Sequence, residues 1–133
     1  MAFWLLKTEP SVYAYKDLER EKRTIWDGVK NSLALKNMRQ IRKGDLALIY
    51  HTGNEKSVVG IAQVVSDPYP DPEKTDPRLV VVDVKPQRKL ARAIPLGEIK
   101  ADQQLQNFEL VRLPRLSVMP VADSIWGRLT LSE

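Results

Sequence analysis

Phe3-Trp4-Leu5-Leu6-Lys7-Thr8-Glu9-Pro10 stands almost at the start of the chain, and its reading decides the fold class. Phe3 to Thr8 is short, aromatic and apolar, the signature of a buried strand. Pro10 ends it, because proline has no amide hydrogen to give a sheet ladder. Further strands are predicted over Leu46 to Thr52, Val58 to Val65, Leu79 to Val84, Leu90 to Ile94 and Leu113 to Val118. Gly60 inside the second of these predicts a bulge or a close approach of backbone. A helical turn is expected over Tyr15 to Arg20, followed by an exposed connection over 20–28. A helix capped by Asn31 or Ser32 is expected to run to about Arg42, with Gly44 beyond it. A short helix over Leu96 to Leu105 and a last one capped by Asp123, with Ile125, Trp126 and Leu129 on its buried side, complete the prediction. The strands outnumber the helices and do not alternate with them. The expected class is α+β, a small, partly closed mixed β-barrel of about five to six strands with short helices outside.

A chain of 133 residues fits one domain, 1–133, with a sizeable core. It has no cysteine, which excludes disulfides, thiolate metal sites and a cysteine nucleophile. The start of the chain lacks the charged opening of a signal peptide, and no apolar run approaches the roughly 20 residues that span a bilayer. The expectation is a soluble cytoplasmic monomer without membrane, metal or cofactor, nucleoid-associated if DNA is its partner. The net charge of +4 suits a nucleic-acid partner, and its distribution suits one better. Residues 20–43 carry eight basic side chains against two acids, whereas residues 67–77 carry four acids against one lysine. A solvated helix face would also produce such a run. The Asp67-Pro68-Tyr69-Pro70-Asp71-Pro72 stretch is predicted to be a rigid loop at a rim.

Three stretches carry candidate chemistry. Lys7 and Thr8 end the apolar first strand, where polar groups either turn to solvent or line a pocket. In Trp26-Asp27-Gly28-Val29-Lys30-Asn31, the tryptophan is either a packing anchor for its loop or a platform on which a base stacks. Gly28 permits close approach or an unusual dihedral. Asn31 offers a donor and an acceptor to the edge of a base, a role that lapses if it only caps the helix. Lys30 sets a cation beside Trp26, suited to a phosphate. His51, in Tyr50-His51-Thr52-Gly53, is the only histidine, so it is either a structural residue or a ligand-contacting donor. No phosphate-cradling glycine loop, dinucleotide fingerprint or zinc spacing is present.

Together these stretches resemble the EVE domain, a branch of the PUA-like superfamily. The resemblance runs through Trp4-Leu5-x-Lys7-Thr8-Glu9-Pro10, Trp26-Asp27-Gly28-Val29-x-Asn31, Gly44-Asp45, Tyr50-His51, Val59-Gly60-Ile61-Ala62-x-Val64, Tyr69-Pro70-Asp71-Pro72, Val82-Asp83-Val84 and Pro114-Arg115-Leu116-Ser117-Val118. It implies a PUA-like pseudo-barrel similar to the YTH domains, which hold a methylated adenine in an aromatic cage. It further implies a reader of modified bases, such as methylated or hydroxymethylated cytosine in DNA or a modified base in RNA. Trp26 then corresponds to a cage aromatic, with Lys7, Thr8 and Asn31 lining the pocket and His51 near its mouth. Lys30 stands where the family usually has arginine, so a bidentate fork becomes a point charge. Leu35 and Lys36 also depart from the common arginine and asparagine.

The function expected is capture of a flipped or single-stranded base without catalysis, with Lys30, Lys36 and Arg39 on phosphates. Two alternatives stand beside it. Lys7, Thr8 and Glu9 supply the residue types of a small PUA-like amide hydrolase, although neighbouring strand residues point to opposite faces. The domain could also bind a free nucleotide or another protein.

Overall fold

The first strand, β1, covers Phe3–Thr8 in the computed structural model of the protein, which describes residues 1–131. It runs parallel to β3 (Leu46–His51), with Phe3 opposite Leu46 and Thr8 opposite His51. On its other side it pairs antiparallel with β7 (Val118–Pro120), Leu5 facing Met119. A strand held between two neighbours and covered on both faces needs no polar alternation. Trp4, Leu5 and Leu6 are accordingly all buried.

From β3 the sheet continues antiparallel through β4 (Ser57–Val64) to β6 (Val80–Pro95), whose N-terminal part also carries β2 (Thr24–Trp26). The order is β2-β6-β4-β3-β1-β7, with β5 (Tyr69–Pro70) as a small extra ladder on Val80 and Val81. These seven strands of the described residues form a mixed, curled half-barrel, the PUA-like architecture expected. Around it lie α1 (Tyr15–Glu21), α2 (Ser32–Met38), α3 (Leu96–Ala101), α4 (Glu109–Arg112) and α5 (Asp123–Leu131). α1, α2 and α3 pack on β6, while α2 and α4 also reach β7.

The curl has identifiable causes. Ile49 pairs with Gly60 and Tyr50 with Val58, so Val59 is an extra residue that bends β4. The β4–β6 register also jumps between Val58 and Gly60 and again between Ile61 and Ala62, next to Pro86. Gly60 is thus both beside a bulge and a site of close approach. The Tyr15 ring lies against its backbone, and the Tyr15 hydroxyl donates to the Ile61 carbonyl at 2.6 Å.

Asp45 locks the N-terminal half. It is 5% exposed. Its carboxylate accepts from Trp4 Nε1 at 2.9 Å, the Ala2 amide at 3.0 Å and the Arg42 amide at 2.9 Å. Trp126 packs at the edge of the core, its ring stacked on Phe3 with centroids 4.2 Å apart.

Several sequence expectations need correction. The connection over 20–28 contains β2, which pairs Trp26 with Val82. The second helix stops at Met38, not Arg42, because the chain turns back through i to i−3 bonds at Gln40 and Ile41 so that Asp45 can reach the Arg42 amide. Gly44, at φ +98°, closes that turn rather than the helix. The strands expected over Leu79 to Val84 and Leu90 to Ile94 are one bent strand, β6. The helix expected over Leu96 to Leu105 breaks at Asp102, whose side chain caps a 3-10 turn over Gln103–Leu105. Residues 113–117 form a turn, so the last strand is only Val118–Pro120.

Candidate functional site

Pro10 stops β1, and the chain turns at once: the Val12 and Tyr13 amides both donate to the Glu9 carbonyl at 2.9 Å. Thr8 Oγ1 donates to the Tyr13 carbonyl at 2.7 Å and ties the turn to the strand end. This sets Tyr13 over β2, where its ring meets Trp26 edge to face, with centroids 6.2 Å apart and planes at 86°. The two rings stand in a cavity of about 360 Å³ together with Lys7, Thr8, Thr24 and Asp27. β2 reaches this position because Lys22, at φ +68°, reverses the chain after α1.

The chemistry of the cavity follows. Trp26 is 6% exposed, so it is a core residue that also lines the cavity. The Tyr13 hydroxyl donates to Glu21 Oε1 at 2.8 Å. Burial, with the Glu21 carboxylate beside it, pushes its pKa up to about 12 against the opposing hydrogen bond of Thr24. Tyr13 therefore stays a neutral phenol. Val12 and Ile25 leave apolar surface at the mouth, 81% and 42% exposed. A flat apolar group with polar edges suits such a corner: one aromatic face, one perpendicular aromatic edge, and hydroxyl, ammonium and carboxylate groups around them.

The residues singled out from sequence do not share one place. Trp26, Lys7 and Thr8 come together at this cavity. Lys7, however, is held: Nζ donates to the Pro114 carbonyl at 2.8 Å and lies 5.5 Å from the centre of the Tyr50 ring, and burial lowers its pKa. Asn31 does not line the cavity. Its Oδ1 accepts from the Leu33 and Ala34 amides at 3.0 and 3.1 Å, so the helix claims it as a cap. His51 does not line it either. Nε2 accepts from the Tyr15 amide at 3.0 Å, which leaves the proton on Nδ1, 3.0 Å from Glu55 Oε1. Its role in these contacts is to join the start of α1 to β3. Gly28, at φ +80° with open space around it, answers a left-handed backbone dihedral and not a close approach.

Lys30 and Arg39 line a separate groove of about 400 Å³ whose apolar wall is the buried Leu35. Lys36 lies outside it, exposed on α2. Arg23 of the basic stretch pairs with Asp83 at 2.8 Å, while Asp67 accepts from the backbone amide of Lys43 at 3.0 Å. Tyr69 joins the first pair through a 2.5 Å bond to Asp83.

Lys7, Thr8 and Glu9 do not converge. Thr8 bonds the Tyr13 carbonyl and Lys7 the Pro114 carbonyl. Glu9 accepts from the Ser11 amide and hydroxyl at 3.1 and 2.9 Å and from Thr52 at 3.2 Å, bonds that lower its pKa. Each group serves a turn. Tyr13, Glu21 and Thr24 escape sequence reasoning as site residues. Thr24 shares with Trp26 a three-residue strand hidden by its basic surroundings, Glu21 ends α1, and nothing in the spacing of Tyr13 links it to Trp26. Among the described residues, no three His, Cys, Asp or Glu side chains gather in a group that could hold a metal ion. No helix among them is long and apolar enough to cross a membrane.

The EVE domain profile matches residues 2–130. Thymocyte nuclear protein 1 of Gallus gallus is 31% identical over 152 residues, covering 89% of this chain and 63% of that protein. The chain thus spans less than two thirds of that relative's length. The crystal structure of protein Atu2648 from Agrobacterium tumefaciens superposes with a TM-score of 0.95 at 30% identity, covering 99% of this chain and 92% of that one. The human THYN1 protein, in a crystal structure with 5-methylcytosine-containing DNA, superposes with a TM-score of 0.91 at 28% identity, covering 99% of this chain and 97% of that one.

Proposed function

This chain belongs to the EVE domain family, and from that membership we propose that it is a non-catalytic reader that binds DNA and takes a modified cytosine into the Tyr13–Trp26 cavity. The observation that carries the proposal is the perpendicular Tyr13–Trp26 pair at the wall of a base-sized cavity. The likeness to human THYN1 with 5-methylcytosine-containing DNA supports the choice of ligand. A base entering here packs against the Trp26 and Tyr13 rings. Thr24, Asp27 and the backbone of β2 are positioned to read its polar edge. Extrusion from a duplex costs a few kcal/mol and is cheapest for a weakly paired base. The separate directions of the Lys7, Thr8 and Glu9 hydrogen bonds favour binding over hydrolysis.

Stacking contributes about 1–3 kcal/mol per base. Trp26→Leu, which keeps apolar bulk in the core, is therefore expected to weaken binding to a 5-methylcytosine oligonucleotide about tenfold or more. It should also reduce the preference over unmodified cytosine. Tyr13→Ala, at a half-buried position, is a second variant that leaves β2 in place. Fluorescence anisotropy on protein shown to be folded by circular dichroism gives both quantities. Unchanged affinity and unchanged preference in both variants would refute the pocket.

A further inference from the structure

We infer that the groove between α2 and the Asp76–Leu79 turn is a phosphodiester site in which Arg78 is a third cation beside Lys30 and Arg39, and Asp76 is an internal competitor occupying the place of a phosphate. This rests on the DNA-binding reading above and adds to it which residues hold the backbone and what restrains them. The groove, about 400 Å³, is lined by all four of these side chains. Arg39 is preset: its Nη2 donates to the Arg78 carbonyl at 2.7 Å, which fixes the guanidinium between helix and turn. Lys30 has no ion-pair partner among the described residues.

Arg78 is engaged, but by a replaceable group. Its Nη2 meets Asp76 Oδ2 at 2.7 Å, and its Nε meets both oxygens at 3.1 and 3.2 Å. A carboxylate bound to a guanidinium through two oxygens has the donor–acceptor geometry of a phosphodiester on the same fork. The Arg78 side chain is 79% exposed and that of Asp76 33% exposed. Exposed pairs of this kind are weak, because solvent screens them and ordering two side chains costs entropy. A phosphodiester flanked by Lys30 and Arg39 meets two additional cations that Asp76 does not bridge, so it can displace or share the pair. The pair holds Asp76 down to a pKa of about 2, so it remains a charged competitor at any working pH.

The test uses one double-stranded oligonucleotide with and without 5-methylcytosine, titrated by anisotropy over a range of salt concentrations. Arg78→Ala should weaken both complexes equally, about three- to tenfold at 0.1 M salt. The salt slope should become shallower by about 0.9, one phosphate contact's worth. Asp76→Asn keeps the oxygen that accepts the Arg78 amide and removes the charge. It should tighten both complexes severalfold, and in an Arg78→Ala background this gain should shrink. If Arg78→Ala leaves affinity and slope unchanged, or Asp76→Asn brings no gain, the groove assignment is overturned. That result is distinguishable from failure of the reader proposal, which would appear as loss of the wild-type preference for the methylated oligonucleotide while the Arg78 effect remained. Absence of any DNA binding by the wild-type protein would overturn both.

Discussion

Gly60→Ala is expected to lower the melting temperature by roughly 5–10 °C, the consequence of overpacking by about 1–3 kcal/mol in a domain of this size. A Cβ on Gly60 would fall 2.6 Å from Tyr15 Cζ and 2.7 Å from Cδ1, and closer still to Cε1. Such separations do not occur between real carbon atoms, so the ring or the strand must move. Tyr15 is 3% exposed and has little room to move. Its hydroxyl is committed to Ile61 and its amide to His51. Movement of the ring loosens the start of α1, two residues from Tyr13, so the affinity proposed for the Tyr13–Trp26 cavity should fall with stability. A double-mutant cycle identifies the cause. Combined with Tyr15→Ala, Gly60→Ala should do little further harm, because the obstructing ring is gone. Strict additivity of the two losses in thermal or urea unfolding would show that this contact is not responsible.

Asp45→Ala is expected to be worse, about 3–5 kcal/mol in urea unfolding. Three donors lose their acceptor, and each donor left without one in a buried or half-buried position costs about 1–3 kcal/mol. Water can re-satisfy the Ala2 and Arg42 amides in part, but the indole N–H of Trp4 is buried. Asp45→Asn should lie in between, since the side-chain amide turns one of its two groups from acceptor to donor. In the Asp45→Ala background, Trp4→Phe should do much less damage than in the wild type, because the N–H it removes is already unpaired. A loss below about 1 kcal/mol for Asp45→Ala would show that the carboxylate does not hold β1 to the turn.

The strands that carry most of the core were legible because burial on both faces leaves an unbroken apolar signature. Phe3–Thr8 has the bounds expected from sequence, and Leu46–His51 differs from its expectation by one residue. Gly60 was legible for a related reason: a glycine inside a strand asks for a neighbour, and that neighbour is Tyr15. β2 was not legible. Three residues, Thr24–Trp26, between Arg23 and Asp27 show no period, and only the long-range ladder to β6 makes them a strand. The far half of β6 is rich in lysine and arginine on its exposed side, which breaks the apolar pattern where the ladder continues. The same limit applies to the cavity. Trp26 could be singled out by its surroundings, but its companion Tyr13 sits in a turn set by Glu9 and Thr8. Asn31 and His51 read as ligand groups in the sequence because each side chain carries both donor and acceptor capacity. In the fold, Asn31 Oδ1 and both His51 ring nitrogens already have backbone or carboxylate partners.

The position of β1 also sets a schedule. The strand nearest the start of the chain lies inside the sheet, and one of its two neighbours, Val118–Pro120, comes more than a hundred residues later. Loop closure over such a span is slow, and the ladder it closes is of high contact order. On a ribosome, β1 can meet β3 early, but its other edge stays open until residue 120 has emerged. Lys7 also waits, because its amide acceptor, Ser117, and its ammonium acceptor, Pro114, arrive in the same late segment. The end of the molecule that holds the Tyr13–Trp26 cavity is therefore completed late in synthesis, and a nascent chain has a strand edge to shield before that cavity is whole.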